Sequence, residues 1–278
     1  MLRSMNDLKD YTIQAIDGNI GHVKDFYFDD KTWVVRYLIV DTGNWLSSRK
    51  VLISPIAIGK PNWRQRELPV SSTKEQVKNS PDIDTAKPVS RQHEMQYIEY
   101  YNYPSYWGNV GLWSEEPFPN PMTTVAGDPL ITPAILENAN DQNDTGTAKL
   151  VECSQDDPHL RSCIVVTGYD IEATDGIIGH VCGFLVDEDT WAIRYLVVQT
   201  GNWWLGHRVL IAPSWITGVR WFDGKVSVNL ARLTVKDAPE YDPTVKLNRE
   251  KEIAIHRHYS HAGYWENQAE REEVLSPD

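Results

Sequence analysis

Two histidines occupy positions at which general acid–base catalysis would be chemically possible. His22 and His180 each follow a glycine, and an aspartate, Asp17 or Asp175, lies five residues earlier. An imidazole beside a carboxylate can act as a general base, but it needs a reacting group within hydrogen-bonding distance. No nucleophilic residue recurs beside both histidines. We therefore interpret the two rings as hydrogen-bonding the adjacent turn, and we predict a protein without catalytic residues.

Two arginines stand inside otherwise apolar stretches, at Arg36 and Arg194. A guanidinium that is buried requires an acidic partner, because an unpaired charge is costly in the interior. Asp29 and Asp187 supply such partners, and so do the aspartates that precede the two histidines. We predict structural ion pairs at these positions. Binding of an anionic ligand is the alternative, since arginine recognises carboxylates and phosphates well.

Three further histidines, His256, His258 and His261, have the residue type of a metal centre. The positions 158 residues earlier carry other bulky side chains, namely Ile98, Tyr100 and Tyr103. These positions therefore accept flat or bulky side chains in general, and we predict no metal site and no cofactor. Metal binding by the three histidines remains an alternative.

The offset of 158 residues relates the two halves of the chain throughout. Residues 15–55 align with residues 173–213 without a gap, and 23 of the 41 aligned positions are identical. The register continues to the Tyr-Trp pairs at 106–107 and 264–265. A unit of this length is a duplicated domain, since solenoid repeats have periods of about 20–50 residues. The repeat predicts two domains of similar fold.

The composition argues against some binding partners and indicates a cellular compartment. The net charge is −12, and the sequence contains no cluster of lysine and arginine of the kind that binds phosphate groups. No apolar stretch approaches the roughly 18 residues of a membrane span, and the N-terminus lacks the apolar core of a secretory signal. The three cysteines are odd in number, which favours a reduced compartment. We expect a cytoplasmic protein that binds neither nucleic acid nor membrane directly.

Short strands dominate the early part of each repeat. In the first repeat we predict four strands, at 11–16, 20–29, 33–40 and 50–53, and two weaker ones near 58–63 and 67–70. Asp17-Gly18 predicts a hairpin turn, because both residues tolerate positive φ. Along the second strand the apolar residues shift from one face of the strand to the other. This shift predicts a β-bulge near Asp25, where the second repeat has Gly183. This spacing of strands is typical of a small barrel or sandwich.

Helix and irregular structure are predicted for the later part of each repeat. A capping box begins a short helix at Ser72, a longer helix is predicted over 90–100, and its counterpart over 248–255. Aromatic residues follow at 100–107, and we expect them to pack across their own barrel. The segment between the repeats is acidic and rich in Pro, Asn and Asp, which is typical of a linker. We therefore predict that the chain has three parts: a first repeat at 1–109, a linker at 110–167 and a second repeat at 168–278.

Large apolar residues lie in the loop between the third and fourth predicted strands of each repeat. They are Trp45 and Leu46 in the first repeat and Trp203, Trp204 and Leu205 in the second. Exposed apolar residues at a loop tip often mark an interaction site. The alternative is that these rings cover a barrel end or pack against the other repeat.

The ordered motifs resemble a known family. They are Asp-Gly-x-Ile-Gly-His-Val, Trp-x-x-Arg-Tyr-Leu, Thr-Gly-Asn-Trp and Val-Leu-Ile, beginning at residues 17, 33, 42 and 51 and recurring in the second repeat. This order is similar to that of the PRC-barrel domain, found in the photosynthetic reaction centre H subunit and in the ribosome-maturation factor RimM. The resemblance covers roughly residues 8–80 and 166–238. It implies a small, mostly antiparallel six-stranded β-barrel that docks onto other proteins.

The resemblance supplies neither a specific role nor catalytic residues. The H subunit's membrane helix and RimM's preceding domain have no counterpart in this sequence. We therefore expect a mainly β protein with two tandem antiparallel barrels, packed as an intramolecular pseudo-dimer. Its expected function is non-catalytic protein interaction or scaffolding, with an unknown protein partner and homo-oligomerisation as an open alternative. A ligand-binding or enzymatic site between the barrels is the second hypothesis.

Overall fold

The computed structural model describes residues 1–46, 49–81, 89, 91–103, 159–201 and 206–266. In the first half the strands are β1 (Leu2–Ser4), β2 (Thr12–Ala15), β3 (Gly18–Asp29), β4 (Val35–Asp41), β5 (Lys50–Ile53) and β6 (Glu67–Pro69). The helices there are α1 (Met5–Leu8), α2 (Lys74–Lys78) and α3 (Arg91–Tyr101). The second half repeats this order, which gives each half the same framework.

The elements of the second half lie close to 158 residues after their counterparts. Its strands are β7 (Leu160–Ser162), β8 (Asp170–Ala173), β9 (Gly176–Asp187), β10 (Ile193–Thr200), β11 (Arg208–Ile211), β12 (Ile216–Arg220) and β13 (Lys225–Val228). Its helices are α4 (Cys163–Val166), α5 (Arg232–Lys236) and α6 (Arg249–His258). The pair β12–β13 is regular, whereas the first half has only β6 and isolated bridges at Ile58 and Asn62 in that region.

The described residues form two mixed sheets, so the mainly β prediction is confirmed. One sheet has the order β5-β4-β3-β2-β6, and the other has the order β11-β10-β9-β8-β13-β12. Most neighbours are antiparallel, but β2 pairs with β6, and β8 with β13, in parallel. Among the described residues neither sheet closes on itself. The two units are therefore barrel-like or sandwich-like rather than closed antiparallel barrels.

The central hairpin of each repeat depends on close contact between backbones. A Cβ atom added to Gly21 would lie 2.0 Å from the Asp41 carbonyl oxygen, and one added to Gly179 would lie 2.0 Å from that of Gln199. Only a residue without a side chain fits there, because the opposing atoms belong to the backbone. The register also shifts between Val23 and Asp25, which confirms the predicted bulge in the first repeat.

Buried strands and capped helices complete each unit. Strand β4 is buried on both faces from Val35 to Val40, as its apolar run, interrupted only by Arg36, predicts. Helix α2 begins with a capping box, but one residue later than predicted, since Thr73 pairs with Gln76. Helices α3 and α6 confirm the two longer predicted helices. No helix among the described residues has both the length and the apolarity needed to cross a bilayer.

The first strand of each half pairs with the sheet of the other half. Strand β1 pairs antiparallel with the end of β9, where Arg3 lies opposite Val186. Strand β7 pairs in the same way with the end of β3, where Arg161 lies opposite Phe28. Strand β7 and helix α4 fall within the range predicted as linker. The first described strand of the second half begins at Leu160.

Candidate functional site at the junction between the repeats

The polar side chains that both repeats share bond mainly to backbone. The Asp17 carboxylate accepts a hydrogen bond from the Lys74 N–H at the start of α2 (2.8 Å). In the second repeat Asp175 does the same for the Arg232 N–H at the start of α5 (2.8 Å). These aspartates therefore join the first hairpin to the following helix, a role that the hairpin motif alone did not indicate.

The two motif histidines lie on the surface of their hairpins. His22 and His180 are exposed, and Nδ1 of His22 lies 3.4 Å from the Thr12 hydroxyl on the neighbouring strand. The contact is a side-chain contact across the hairpin and does not involve the turn backbone. An exposed ring on a strand face has no enclosed environment for acid–base chemistry. Its position favours a surface role over a catalytic one.

The buried arginine of the first repeat, Arg36, is linked to its predicted partner Asp29 by hydrogen bonds through Thr32. Arg36 is only 5% exposed, and its Nη2 donates to the Thr32 hydroxyl oxygen (3.2 Å). The Thr32 hydroxyl in turn donates to Asp29 (2.9 Å), which also accepts from the Lys31 and Thr32 N–H groups. Asp29 therefore stabilises the turn before β4. The direct ion pair between Arg36 and Asp29 stays a prediction.

The equivalent arginine of the second repeat lies beside an aromatic ring. The guanidinium carbon of Arg194 lies 4.1 Å from the ring centroid of Tyr264. Burial lowers the pKa of Arg194, whereas the negative charges of Asp187 and Glu252 act to raise it. Asp187 also accepts from the Asp189 and Thr190 N–H groups, as Asp29 does in its own turn. The ion pair between Arg194 and Asp187 stays a prediction.

The three clustered histidines have separate environments. His256 is buried, His258 lies 2.7 Å from the Thr234 carbonyl oxygen through its Nε2, and the His261 ring stacks on Trp215 at 5.1 Å. No group of three or more His, Cys, Asp or Glu side chains within the described ranges is arranged to bind a metal. Each ring thus has a packing or hydrogen-bonding partner of its own.

His256 belongs to a buried polar network that the sequence did not predict. Its Nε2 lies 2.9 Å from the Tyr195 hydroxyl, and its Nδ1 lies 2.8 Å from the Ala262 carbonyl oxygen. The carbonyl only accepts, so Nδ1 carries the proton. Burial lowers the pKa of His256, although the hydrogen bond to Ala262 opposes this effect. The lowered pKa favours the neutral ring, whose Nε2 then competes with the Glu252 carboxylate for the single hydroxyl proton of Tyr195.

Glu252 lies at the centre of the same network. It is 4% exposed, and it accepts hydrogen bonds from the hydroxyls of Tyr195 (3.1 Å) and Tyr264 (2.8 Å). Arg249, one turn earlier on α6, lies 3.1 Å from its carboxylate. Burial and the charge of Glu252 raise the pKa of Tyr264 to about 12. The network fixes α6 on strand β10, and its tyrosines stay protonated at neutral pH.

A cleft of about 610 Å³ opens between the two repeats. The turn Asp30–Trp33 of the first repeat forms one wall. The other wall carries Arg194, His256 and Tyr264 together with strand β12 and Trp221. This volume lies within the range of small-molecule sites, which is about 300–1,000 Å³. Of the predicted site residues, the cleft includes Arg194 but not the motif histidines.

The predicted tryptophan loop lies against its own repeat. Trp45 and Leu46 end a short 3-10 helix, Gly43–Leu46, and both are partly buried against the core. The Trp45 indole N–H donates to the Ile20 carbonyl oxygen, and Lys74 Nζ lies 4.6 Å from the ring centroid. An interaction role for these two residues stays a prediction. Trp203, Trp204 and Leu205 lie outside the described residues.

The cysteines are not joined in the described part of the chain. Cys163 is buried and Cys182 is half-buried, and both are free thiols. Burial raises the pKa of each thiol, so neither is an activated nucleophile. Cys153 lies outside the described residues.

Comparison with known families identifies the first repeat. Residues 2–76 match the family model of the PRC-barrel domain. The matched stretch runs from β1 to α2 and contains all the motifs of that repeat, so the first half carries a PRC-barrel domain, as the motifs implied. A search of the curated proteins gave no match to the chain. Assignment of the second half to the same family is an inference from the internal repeat.

Proposed function

We propose that this protein is a non-catalytic interaction or scaffold protein of the cytoplasm, built from two PRC-barrel-like repeats. The observation that carries the proposal is the role of the shared polar side chains. Asp17, Asp29, Asp175 and Asp187 all accept hydrogen bonds from backbone N–H groups that begin a helix or a turn. Residues retained in both repeats thus stabilise the framework instead of converging on one reacting centre.

The surface offers apolar residues that the framework does not need. Phe222, at the turn between β12 and β13, is fully exposed, and Ile164 and Val165 on α4 are also exposed. The first repeat has polar residues, Asn6 and Asp7, at the positions of the latter two. Exposed apolar groups favour contact with a protein surface. The second repeat therefore presents the more suitable face for a partner.

Affinity capture with the full chain tests this proposal. The tagged protein, immobilised under native conditions, is expected to retain a protein from its own cell lysate. The purified chain should bind that protein again with a Kd in the micromolar range or tighter. Phe222→Ser should weaken rebinding if the second repeat provides the contact, whereas Ile16→Ser, at the exposed first hairpin, serves as the matched control. Retention of nothing by a folded chain would count against an interaction role.

A second candidate function, binding of a small organic anion, is favoured by the cleft. Its lining residues include Arg194, the exposed Lys31, Thr32, Thr217 and Trp221. Asp30 also lines it, and its carboxylate is paired with Arg161 (2.8 Å). Such a set suits a carboxylate attached to an apolar or aromatic group. In the turn of the second repeat that corresponds to Asp30–Lys31, two acids, Glu188 and Asp189, occupy these positions. The cationic side chain Lys31 is thus present at one turn only.

Calorimetric titration distinguishes this candidate. Benzoate should bind with saturation, and uncharged benzamide should bind much more weakly. Lys31→Glu should reduce the benzoate affinity, while Asp189→Ala, in the corresponding turn, should leave it unchanged. Equal heats for benzoate and benzamide would exclude a charge-selective site.

A further inference from the structure

We propose that two short segments, Leu2–Leu8 and Leu160–Val166, are the recognition elements that bind the two repeats to each other. We call them the exchanged segments. Each seats on the opposite repeat, and the partner that this surface fits is a second repeat of the same kind. The inference is independent of any outside partner, so it can fail while the proposed interaction function stands.

Backbone pairing provides the first argument. Leu2, Arg3 and Ser4 lie opposite Asp187, Val186 and Leu185 of the second repeat. The identical tripeptide Leu160–Ser162 lies opposite Asp29, Phe28 and Tyr27 of the first repeat. Each exchanged strand extends a sheet at the end of its longest strand, and the backbone groups on that edge gain partners. The repeated tripeptide therefore makes the same contact twice, in opposite directions.

Charge and aromatic contacts orient the exchanged strands. Arg3 Nε lies 2.7 Å from Glu188 of the second repeat, and its guanidinium carbon lies 4.0 Å from the Trp63 ring centroid of the first. A guanidinium between an acid and an indole spans the junction. Its side chain thereby joins both repeats at one point.

The other exchanged strand repeats this arrangement with the repeats reversed. Arg161 Nη2 lies 2.8 Å from Asp30 of the first repeat, and its guanidinium carbon lies 4.4 Å from the Trp221 ring centroid of the second. The chain thus uses arginine, an acid and tryptophan at corresponding positions on both sides. Such reciprocity is the property of a two-fold interface, in which one patch meets its own equivalent.

Equivalent residues also meet each other along the axis between the repeats. Val34 forms an isolated antiparallel bridge with Ala192, its own counterpart. The flanking hydrogen bonds run from the Val35 N–H to the Trp191 carbonyl and from the Ile193 N–H to the Trp33 carbonyl (2.9 and 2.8 Å). Contact between corresponding residues occurs only where a two-fold axis passes, so the junction has dimer-like symmetry.

The exchanged helices meet at the same axis within a shared core. The Cys163 thiol lies 3.9 Å from the sulfur of Met5, its counterpart in α1, and both side chains are buried. One hydrophobic cluster includes core residues of both halves, and within it the Phe28 and Phe184 rings lie 6.1 Å apart. Separation of the repeats would expose this cluster to water. The hydrophobic effect therefore acts with the strand pairing.

One buried carboxylate, that of Asp25, holds only one of the two exchanged segments. The carboxylate of Asp25, which is 8% exposed, accepts hydrogen bonds from the Ser162 hydroxyl (2.5 Å) and the Ile164 N–H (3.1 Å). In the second repeat Gly183 replaces this aspartate, and the Asn6 amide instead donates to the Cys182 carbonyl (3.3 Å). The segment 160–166 is therefore the more strongly fixed of the two exchanged segments.

Cutting the chain between its repeats tests the proposal. A specific protease site is placed between residues 120 and 140 of the full chain, and the folded protein is cleaved. Size-exclusion chromatography with light scattering should show one species whose mass equals that of the intact chain, even at micromolar concentration. Two separate fragments would overturn the proposal, because the repeats would then depend on their covalent connection.

Charge exchange in the cleavable chain tests the role of the segments themselves. Arg161→Glu should raise the dissociation constant of the cut halves by at least about tenfold, and adding Asp30→Arg should restore much of the affinity. Lys24→Glu is the matched control, because it breaks a similar ion pair, Lys24–Asp10, within one repeat. If Arg161→Glu had no more effect than this control, the exchanged segments would not be the recognition elements.

Discussion

The two repeats have the same framework but fill the space under their longer helix differently. In the first repeat Tyr97 of α3 is buried and its hydroxyl donates to the Leu52 carbonyl (3.2 Å). In the second repeat Ile255 replaces this tyrosine, and Trp215 stands where the first repeat has Ala57. All four side chains are buried, and the Trp215 ring lies 4.7 Å from that of Tyr259. The two repeats thus bury different side chains at equivalent positions.

The buried glutamate of that helix shows the same divergence in polar form. Glu94 is fully buried and lies 2.7 Å from His159, the residue just before the exchanged strand β7. Its counterpart Glu252 binds Tyr195, Tyr264 and Arg249 within its own repeat. One acid therefore connects the repeats and the other stabilises a single repeat. Duplication preserved the position, and its partners diverged afterwards.

The largest predicted effect concerns the part that the repeats have in common. Gly21→Ala and Gly179→Ala should each lower the free energy of unfolding by about 3 kcal/mol or more, since the new methyl group would overlap backbone atoms. Denaturant titration measures this loss. Gly218→Ala is the control, because nothing lies within 4 Å of its added Cβ. A large loss in one repeat only would contradict their equivalence.

Trp45 tests whether the tryptophan loop stabilises the fold or serves as a docking surface. Trp45→Ala should lower the free energy of unfolding by about 2 kcal/mol, because the indole packs on the core and donates to a backbone carbonyl. Thermal and denaturant unfolding would both report it. An unchanged stability would instead indicate that the ring has no framework role and would favour the docking interpretation.

The histidine network predicts a pH dependence confined to the second repeat. Burial lowers the pKa of folded His256 below its usual 6.5, so the unfolded chain binds its proton more readily. The neutral ring therefore contributes stability above about pH 6.5, and this contribution falls as the pH drops through that value toward the folded pKa. Its slope cannot exceed about 1.4 kcal/mol per pH unit.

His256→Ile, which copies the first repeat's Ile98, isolates this contribution. Unfolding curves between pH 5 and pH 7.5 should show a shallower loss of stability toward acid in the variant than in the natural chain. Ile98→His is not expected to reproduce the slope unless a network forms around it. Parallel pH profiles for the natural chain and His256→Ile would rule out His256 as the source.

The smallest predicted difference lies in the shared aspartates. The N-cap residue of helix α5 is Ala231, which has no side chain able to cap the helix, whereas α2 has the Thr73–Gln76 capping box. Asp175→Ala should therefore lower the free energy of unfolding by about 1 kcal/mol, and Asp17→Ala should lower it by only a few tenths of a kcal/mol. Denaturant unfolding of both variants measures the difference. A greater loss from Asp17→Ala would mean that the box does not compensate.

Local patterns predicted a large part of the framework because they act over short distances. The Asp17-Gly18 turn, the bulge after Val23 and the buried run of β4 were all readable from neighbouring residues. The start of α2 was misplaced by one residue, since two successive residues, Ser72 and Thr73, were both suitable caps. The two barrel-like units agree with the predicted fold class, but the parallel pairing of β2 with β6 was not predicted, because it joins strands that are distant in the sequence.

The candidate site was less predictable than the framework. Arg194 was identified from its apolar surroundings, but its placement at a cleft between repeats requires the turn Asp30–Trp33 to arrive from the other half. The network of Tyr195, Glu252 and His256 gave no usable signal. Its members are 57 residues or more from Tyr195 in sequence and meet only when α6 packs on β10. The first repeat gave no hint of it at this position, since Ile98 stands where the second repeat has His256.

The sequence by itself determined that two like units exist and which residues build each one, because turns, caps and buried strands follow from local sterics and hydrophobicity. Only the tertiary structure decided that each unit receives its first strand from the other. Leu-Arg-Ser at residues 2–4 and at residues 160–162 would suit either sheet equally well. The pairing depends on a place where each guanidinium group, that of Arg3 or Arg161, can contact an acid and an indole at once. Such places exist only where the two folded repeats are in contact, since the acid and the indole belong to different repeats.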